Sequence, residues 1–242
     1  MLYLIGLGLN KKDISMKALE TVKKCSKVYL ESYTNIMPYS AGELEKVIGK
    51  KIISAERKFV EEKDELIEEA KKQKIALLVS GDPLSATTHI DLLLRAKKAG
   101  VKTAVIHAPS VLTAIAETGL QLYKFGKTGS IAKWKPSFKP ESFYDILIQN
   151  RSIDAHTLLL LDIGLSVREA LSYIDSIART KDIDMLNKEL IVCENLGEKQ
   201  KFTVGTLYKL QGKKFSLPTC IIVPGKLHFV EAEFLEILRK KG

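Results

Sequence analysis

Apolar and polar positions fall along the chain in blocks that predict strands and helices in turn. LYLIGLGL (residues 2–9) reads as a buried strand ending in glycines, and ISMKALETVKKCSKV follows with Ile14, Ala18, Leu19, Val22 and Cys25 at helical spacing, capped by Asp13 or Ser15. KVYLESY is a second strand by its β-branched and aromatic content; AGELEKVIG is a short helix closed by Gly49, and KIISAER a third short strand. FVEEKDELIEEAKKQ then predicts a charged surface helix, IALLVSG a strand, ATTHIDLLLRAKKAG a helix ended by Gly100, and VKTAVIHAP a further strand. Strands and helices alternating at this length imply a parallel sheet with helices on both faces.

The pattern changes at Pro109. SVLTAIAETGL predicts a small-residue helix, and KTGSIAKWKPSFKPESF a turn-rich stretch holding the single tryptophan, Trp134. HTLLLLDIG, ELIVCENLG, KQKFTVGTLYKL and TCIIVPG are strand candidates with SFYDILIQNRS and SVREALSYIDSIAR as helices between them, which points to a mixed or largely antiparallel sheet. The expected fold class is therefore α/β in two domains, residues 1–108 and 109–242, with a cleft between two such domains as the natural ligand site.

Composition adds exclusions. The longest apolar runs fall short of the roughly 18 residues of a membrane span. MLYLIGLGLN lacks the basic region and cleavage site of a secretion signal, so a cytoplasmic location is expected. Cys25, Cys193 and Cys220 form no CxxC and sit in or beside apolar runs, as buried reduced thiols would. The net charge of +9 comes from scattered lysine pairs without interleaved aromatics, so nucleic acid is not expected as a direct substrate.

Four strand ends carry candidate chemistry. IGLGLN has Gly6 and Gly8 but Lys11 where a dinucleotide fingerprint needs a third glycine, leaving open a simple turn or a bare backbone against a ligand; Glu31, near the end of the second strand, stands where an acidic residue would hold a ribose. GDPLSATTH (81–89) places Asp82 at the carboxyl end of a strand, where open α/β sheets bind ligands, with Ser85, Thr87 and Thr88 expected in the first turn of the next helix. Helix capping by Asp82 or Ser85 is the competing explanation. VIHAPSV and IIVPGKLHFVEAEF end with similar punctuation; His107 and His156 read as structural histidines, whereas His228 follows a turn at a strand end. No metal-site spacing, GxSxG or P-loop is present.

GLGL, GDPLSATTH, HAPSV, YKFGK (123–127), LLLLDIG and VPGKLHFVEAE together, in this order over nearly the whole chain, resemble the diphthine synthase branch of the tetrapyrrole methylase superfamily. The resemblance implies a dimeric two-domain α/β methyltransferase that binds S-adenosylmethionine in the interdomain cleft and releases S-adenosylhomocysteine. The acceptor it implies is the amino group of a modified histidine side chain on translation elongation factor 2. Motif matching implies cofactor contacts at Leu9, Asp82, Ser85, Ser110, Val111, Leu161, Leu196 and His228. No residue is assigned as a catalytic base, because such an amine has a pKa of roughly 8 and loses its proton at modest cost near neutrality. Lys133 and Lys135, around Trp134, are candidates for docking an acidic protein substrate. The competing functions are a methyltransferase of the same superfamily acting on a tetrapyrrole precursor, and a nucleotide-binding regulatory module without catalysis.

Overall fold

In the computed structural model, which describes residues 1–34, 36–181 and 183–241, the chain divides into two units, Met1–Ala114 and Ile115–Gly242. The division lies six residues beyond the expected break at 108. The reason is local: Ser110, following the last strand of the first unit, accepts the backbone N–H of Thr113 and of Ala114, so the helical turn after it stays with that strand.

The first unit holds β1 (Leu2–Gly6), α1 (Met16–Lys23), β2 (Lys27–Glu31), α2 (Ala41–Ile48), β3 (Ile53–Ala55), α3 (Glu65–Lys72), β4 (Ile75–Val79), α4 (His89–Lys98), β5 (Thr103–Ile106) and the short α5 (Val111–Ala114). The strands form one parallel sheet in the order β3-β2-β4-β1-β5. Side chains alternate across a strand, and here both faces are apolar. Ile5, Leu30 and Leu78 join Ala18 and Val22 of α1 and Leu44 of α2 in one core, while Leu4, Tyr29 and Leu77 join Leu66 of α3 and Leu92 of α4 in the other. Helices thus cover both faces, as expected.

Local chemistry fixes the ends. Ser15, not Asp13, caps α1 by accepting the Ala18 N–H at 3.2 Å. α2 carries a full capping box between Ser40 and Glu43 and ends at Gly49 in the left-handed region. The single charged helix expected over 59–73 is two pieces, a wide turn at Lys58–Glu62 and then α3, because Val60 is buried and its carbonyl is held by the Arg95 guanidinium at 2.6 Å.

The second unit holds β6 (Gly129–Ile131), α6 (Ser142–Ser152), β7 (Thr157–Leu161), α7 (Val167–Lys181), β8 (Glu189–Glu194), β9 (Lys201–Thr206), α8 (Leu207–Gln211), β10 (Thr219–Val223) and α9 (Phe229–Lys241). Its sheet, ordered β6-β7-β10-β8-β9, is mixed: β6 and β7 are parallel and the remaining pairs antiparallel. Phe143, Leu147, Leu171, Ile174 and Leu207 from α6, α7 and α8 pack with Val192 and Ile221 in one core. The strand expected over 199–210 stops at Thr206 because Leu207 and Leu210 are buried while Tyr208 is exposed, a helical and not an alternating pattern. β6 lies inside the stretch expected to be turns and is only three residues long, too short for periodicity to show. The three cysteines are buried and free.

Candidate functional site

In the first unit, β1 and β4 are neighbours, yet the helices that follow them pack on opposite faces of the sheet. Chains that diverge from adjacent parallel strands leave a crevice at the carboxyl edge, the usual ligand position in open α/β sheets. GDPLSATTH leaves β4 at this point.

Its loop is tied to those after β1 and β5. Gly8 and Gly81 exchange backbone hydrogen bonds, 3.2 Å from Gly8 N–H and 2.9 Å from Gly81 N–H. Gly6 must be glycine because a Cβ there would lie 2.7 Å from the Gly81 carbonyl oxygen and 2.8 Å from the Ala108 Cβ. The bare backbone of GLGL therefore faces a neighbouring loop. Asp13, considered above as a helix cap, instead accepts the N–H groups of Leu9 and Asn10, both at 2.9 Å, and shapes that same turn.

Asp82 organises the crevice. It is 7% exposed. Its Oδ1 accepts the Leu84 N–H at 2.9 Å, and its Oδ2 accepts His107 Nδ1 at 2.7 Å and the Ala108 N–H at 3.2 Å. Burial alone would raise its pKa, but these donors outweigh burial and the carboxyl titrates below its ordinary value. Asp82 is thus a fixed anion and a poor base. Oδ1 accepts one protein hydrogen bond, and a carboxylate oxygen has room for a second. That capacity suits a cationic or N–H-bearing group such as S-adenosylmethionine carries.

The structure gathers Leu9, Asp82, Ser110 and Val111 on the three loops joined by these contacts; Ser110 is 4% exposed, and Ser85 donates its N–H to the Asp82 carbonyl at 3.2 Å. One expectation is sharpened and another needs correction. His107, read as a structural histidine, is an exposed side chain whose structural role is to hold Asp82. Ser85, Thr87 and Thr88 precede α4 and do not lie in its first turn: Ala86 has φ +57°, which breaks the helix, and Thr88 at the cap position makes no side-chain cap bond. Capping by Asp82 or Ser85 is therefore not what the stretch is for. Glu31 lies in its own turn, accepting the N–H of Tyr33 at 2.9 Å and of Thr34 at 2.7 Å.

In the second unit, register divides the remaining candidates. Leu161 ends β7, and Leu196 follows Glu194, which pairs with Thr219 at the start of β10; His228 follows the opposite end of β10, where Val223 pairs with Thr157. The strands thus carry Leu161 and Leu196 to one edge of the sheet and the chain bearing His228 away from the other. Leu196 is buried and His228 is exposed.

A polar cluster that neither spacing nor composition revealed lies beneath the His228 loop. Glu231 is fully buried. Its Oε1 accepts the Gln121 N–H at 2.9 Å and His156 Nε2 at 3.1 Å; its Oε2 accepts the His228 N–H at 2.7 Å and the Lys124 ammonium. Burial alone would raise the Glu231 pKa; Lys124 first, then the two backbone donors and His156, hold it at about 2. His156 Nδ1 accepts the Gly225 N–H at 2.8 Å, so its proton sits on Nε2, and burial lowers its pKa. The signal for this cluster was the pair of motifs YKFGK and PGKLHFVEAE, which supply Lys124 and Glu231 to one place. Their glycines are needed for close approach: a Cβ on Gly126 would lie 2.2 Å from Asn150 Oδ1, and one on Gly225 2.4 Å from the Asp154 carbonyl oxygen. These loops frame a surface groove of about 580 Å³ lined by Tyr123, Lys124, Asp154, Lys226 and His228, among others.

Lys133 is already engaged: its ammonium donates to the Gly164 carbonyl at 3.2 Å and lies 3.8 Å from Glu169. Trp134 stacks on Tyr173 with centroids 4.1 Å apart and donates its indole N–H to the Pro140 carbonyl. Among the described residues no helix is long and apolar enough to cross a membrane, and no group of three or more His, Cys, Asp and Glu side chains is placed to hold a metal.

Comparison with known proteins agrees with this architecture. The chain is 44% identical over 218 residues to diphthine methyl ester synthase 2 of Candida albicans, covering 85% of this chain and 72% of that protein. It is 40% identical over 253 residues to the diphthine synthase of Methanocaldococcus jannaschii, covering 98% of each. A crystal structure of diphthine synthase superposes with a TM-score of 0.89 at 35% identity over 99% of both chains. The model of the tetrapyrrole (corrin/porphyrin) methylases matches residues 1–211, and the chain belongs to that family.

Proposed function

We propose that this protein is an S-adenosylmethionine-dependent methyltransferase of diphthamide biosynthesis, which methylates the amino group of the modified histidine side chain on translation elongation factor 2. The observation that carries the reading is the ionised Asp82 at the diverging ends of β1 and β4, in a family of methylases whose similar members are diphthine synthases. No specific observation favours a tetrapyrrole substrate or a regulatory module.

When bound, S-adenosylmethionine supplies a methyl group already activated on a sulfonium. The chain then has to bind and orient, which in well-aligned systems is worth on the order of 7 to 11 kcal/mol. Asp82 and Ser85 would hold polar groups of the cofactor, and the turns bearing Leu9 and Ser110–Val111 would flank it. Leu161, Leu196 and His228 are the proposed contacts from the second unit. Asp82 serves as a fixed negative charge, since a carboxyl held below its usual pKa is a weak proton acceptor near neutral pH. The cytoplasm is the proposed location and a homodimer the proposed assembly.

The test is mass spectrometry of elongation factor 2 carrying the unmethylated precursor side chain, incubated with this protein and S-adenosylmethionine. A gain in multiples of one methyl is expected; no gain would overturn the reading. Mild alkali separates the products further, because an ester methyl is hydrolysed and an N-methyl is retained. This matters because similar proteins carry both names, diphthine synthase and diphthine methyl ester synthase.

A further inference from the structure

At the edge of the second sheet that bears Leu161 and Leu196, a cavity of about 470 Å³ opens between the segment leading from β7 to α7 and the one joining α8 to β10. The two segments meet because β7 and β10 are antiparallel neighbours, with Leu160 opposite Cys220. The volume is within the roughly 300–1,000 Å³ usual for ligand sites.

The charges around it are of one sign. Arg168, Lys213 and Lys214 are exposed at its rim, and its lining contains no Asp or Glu. Three other cavities mix acids with their bases: Asp154 accompanies Lys226 below His228, Glu61 and Asp91 accompany Arg95 beside the Lys58–Glu62 turn, and Glu43 and Glu45 accompany Lys46 on α2. Among the described residues, the side chains of Arg168 and Lys214 make no hydrogen bond or ion pair. Glu169, next to Arg168, is engaged elsewhere. Its Oε2 accepts the Ser166 N–H at 3.0 Å and the Ser166 hydroxyl at 2.7 Å, and its Oε1 lies 3.8 Å from the Lys133 ammonium. The Ser166 donors hold its carboxyl below the ordinary value. Glu169 N–H in turn donates to Ser166 Oγ at 3.2 Å, so the start of α7 is already capped and the attraction for an anion comes from the side-chain cations.

The floor is apolar. Val167 is buried, Phe215 packs against the core of this unit, and Leu217 is 43% exposed. An apolar floor inside a rim of exposed charge is the anatomy of a protein interface, whereas a small anion is held by convergent polar groups within a pocket.

We infer that this cavity docks an acidic segment of the protein substrate, whose carboxylates meet Arg168 and Lys214 while a large apolar side chain lies on Phe215 and Leu217. The inference rests on the function proposed above. The net charge of +9 favours the approach of such a segment.

The test compares steady-state methylation of precursor-bearing elongation factor 2 by the full-length wild type and four variants. They are Arg168→Glu with Lys214→Glu, Arg168→Gln with Lys214→Gln, Leu217→Ala, and a control of equal charge change, Lys97→Glu with Lys98→Glu at the exposed end of α4. Reversing two contacting charges predicts an acceptor KM raised about tenfold or more at low salt, with the gap narrowing as salt screens the contact. The Gln pair should raise it by a smaller factor, about two- to fivefold, and Leu217→Ala about threefold at any salt. The cofactor Kd should stay within about twofold throughout, because rim charges act on the encounter with the protein partner. A wild type that transfers no methyl group overturns the proposed function and this inference with it. A working wild type whose Arg168 and Lys214 variants keep its acceptor KM, or lose no more than the Lys97 and Lys98 control, overturns the docking site alone. A weakened cofactor Kd in these variants also overturns it, by making the cavity part of the cofactor site. If the Glu pair does not fold, the Gln pair and Leu217→Ala decide by the same criteria.

Discussion

Replacing Glu231 by glutamine changes one oxygen to an NH2 group and leaves the volume unchanged, yet four donors converge on this side chain. Whichever way the amide is turned, its NH2 meets either Lys124 and the His228 N–H or the Gln121 N–H and His156. His156 cannot relieve the conflict by moving its proton, because Gly225 N–H occupies Nδ1. Breaking a buried ion pair from one side costs about 3–5 kcal/mol. The pKa gives a consistent figure: a depression from 4.5 to about 2 corresponds to about 3 kcal/mol of stability. A carboxyl with a depressed folded pKa contributes fully above its unfolded value and loses that contribution as pH falls toward the folded one. The window is therefore about pH 4.5 down to 2 for Glu231. His156, lowered by burial, adds a loss in the same direction that begins below 6.5. The single tryptophan, Trp134, stacks on Tyr173 within the second unit, so its fluorescence in urea follows the unit that contains Glu231. Expected is a drop of about 3–5 kcal/mol for Glu231→Gln at pH 7, and a smaller gap from wild type at pH 3.5 than at pH 7. Glu189→Gln, which removes an exposed pairing with Arg239, should cost about 1 kcal/mol or less. A Glu231→Gln cost below about 1 kcal/mol at pH 7, or a gap independent of pH, would refute the idea that the four-donor cluster stabilises this unit.

Other expectations concern the first unit. Asp82→Ala should weaken S-adenosylmethionine binding; unchanged affinity by calorimetry would remove Asp82 from the site. Because the Asp82 pKa lies below its ordinary value, its charge should persist through mildly acidic pH, and cofactor affinity should not fall between pH 5 and 8 on its account. Gly6→Ala should destabilise by about 1–3 kcal/mol, since its Cβ would press on the Gly81 backbone, and should weaken cofactor binding with it. Gly42→Ala, within α2 and with nothing within 4 Å of the added methyl, should instead stabilise by up to about 1 kcal/mol; thermal melts of the two variants moving in the same direction would contradict both estimates.

Much of the fold was legible in the chain because it rests on periodicity. The β1 and β4 strands are apolar on both faces, which a parallel sheet between two helical layers requires, and α1 and α7 show their buried stripes at helical spacing. What escaped was set by single contacts. The 58–73 segment breaks because Arg95, more than twenty residues later in sequence, holds the Val60 carbonyl, and Leu207–Gln211 turns helical inside a stretch whose apolar content also fits a strand.

The candidate site divides along the same line. Sequence by itself determined that GDPLSATTH ends a buried strand with an acid and three hydroxyls, and that YKFGK and PGKLHFVEAE belong to the same motif set. Tertiary structure alone decided what those residues do. It made the exposed His107 the partner of Asp82, spent Thr87 and Thr88 on Pro83 and Glu61, and left His89 Nε2 buried without a hydrogen-bond partner. It also brought Lys124, His156 and Glu231 together across about a hundred residues. The physical reason is that burial and periodicity are properties of a segment, whereas hydrogen-bond partners and pKa shifts depend on which distant segment folds against it within about 3 Å.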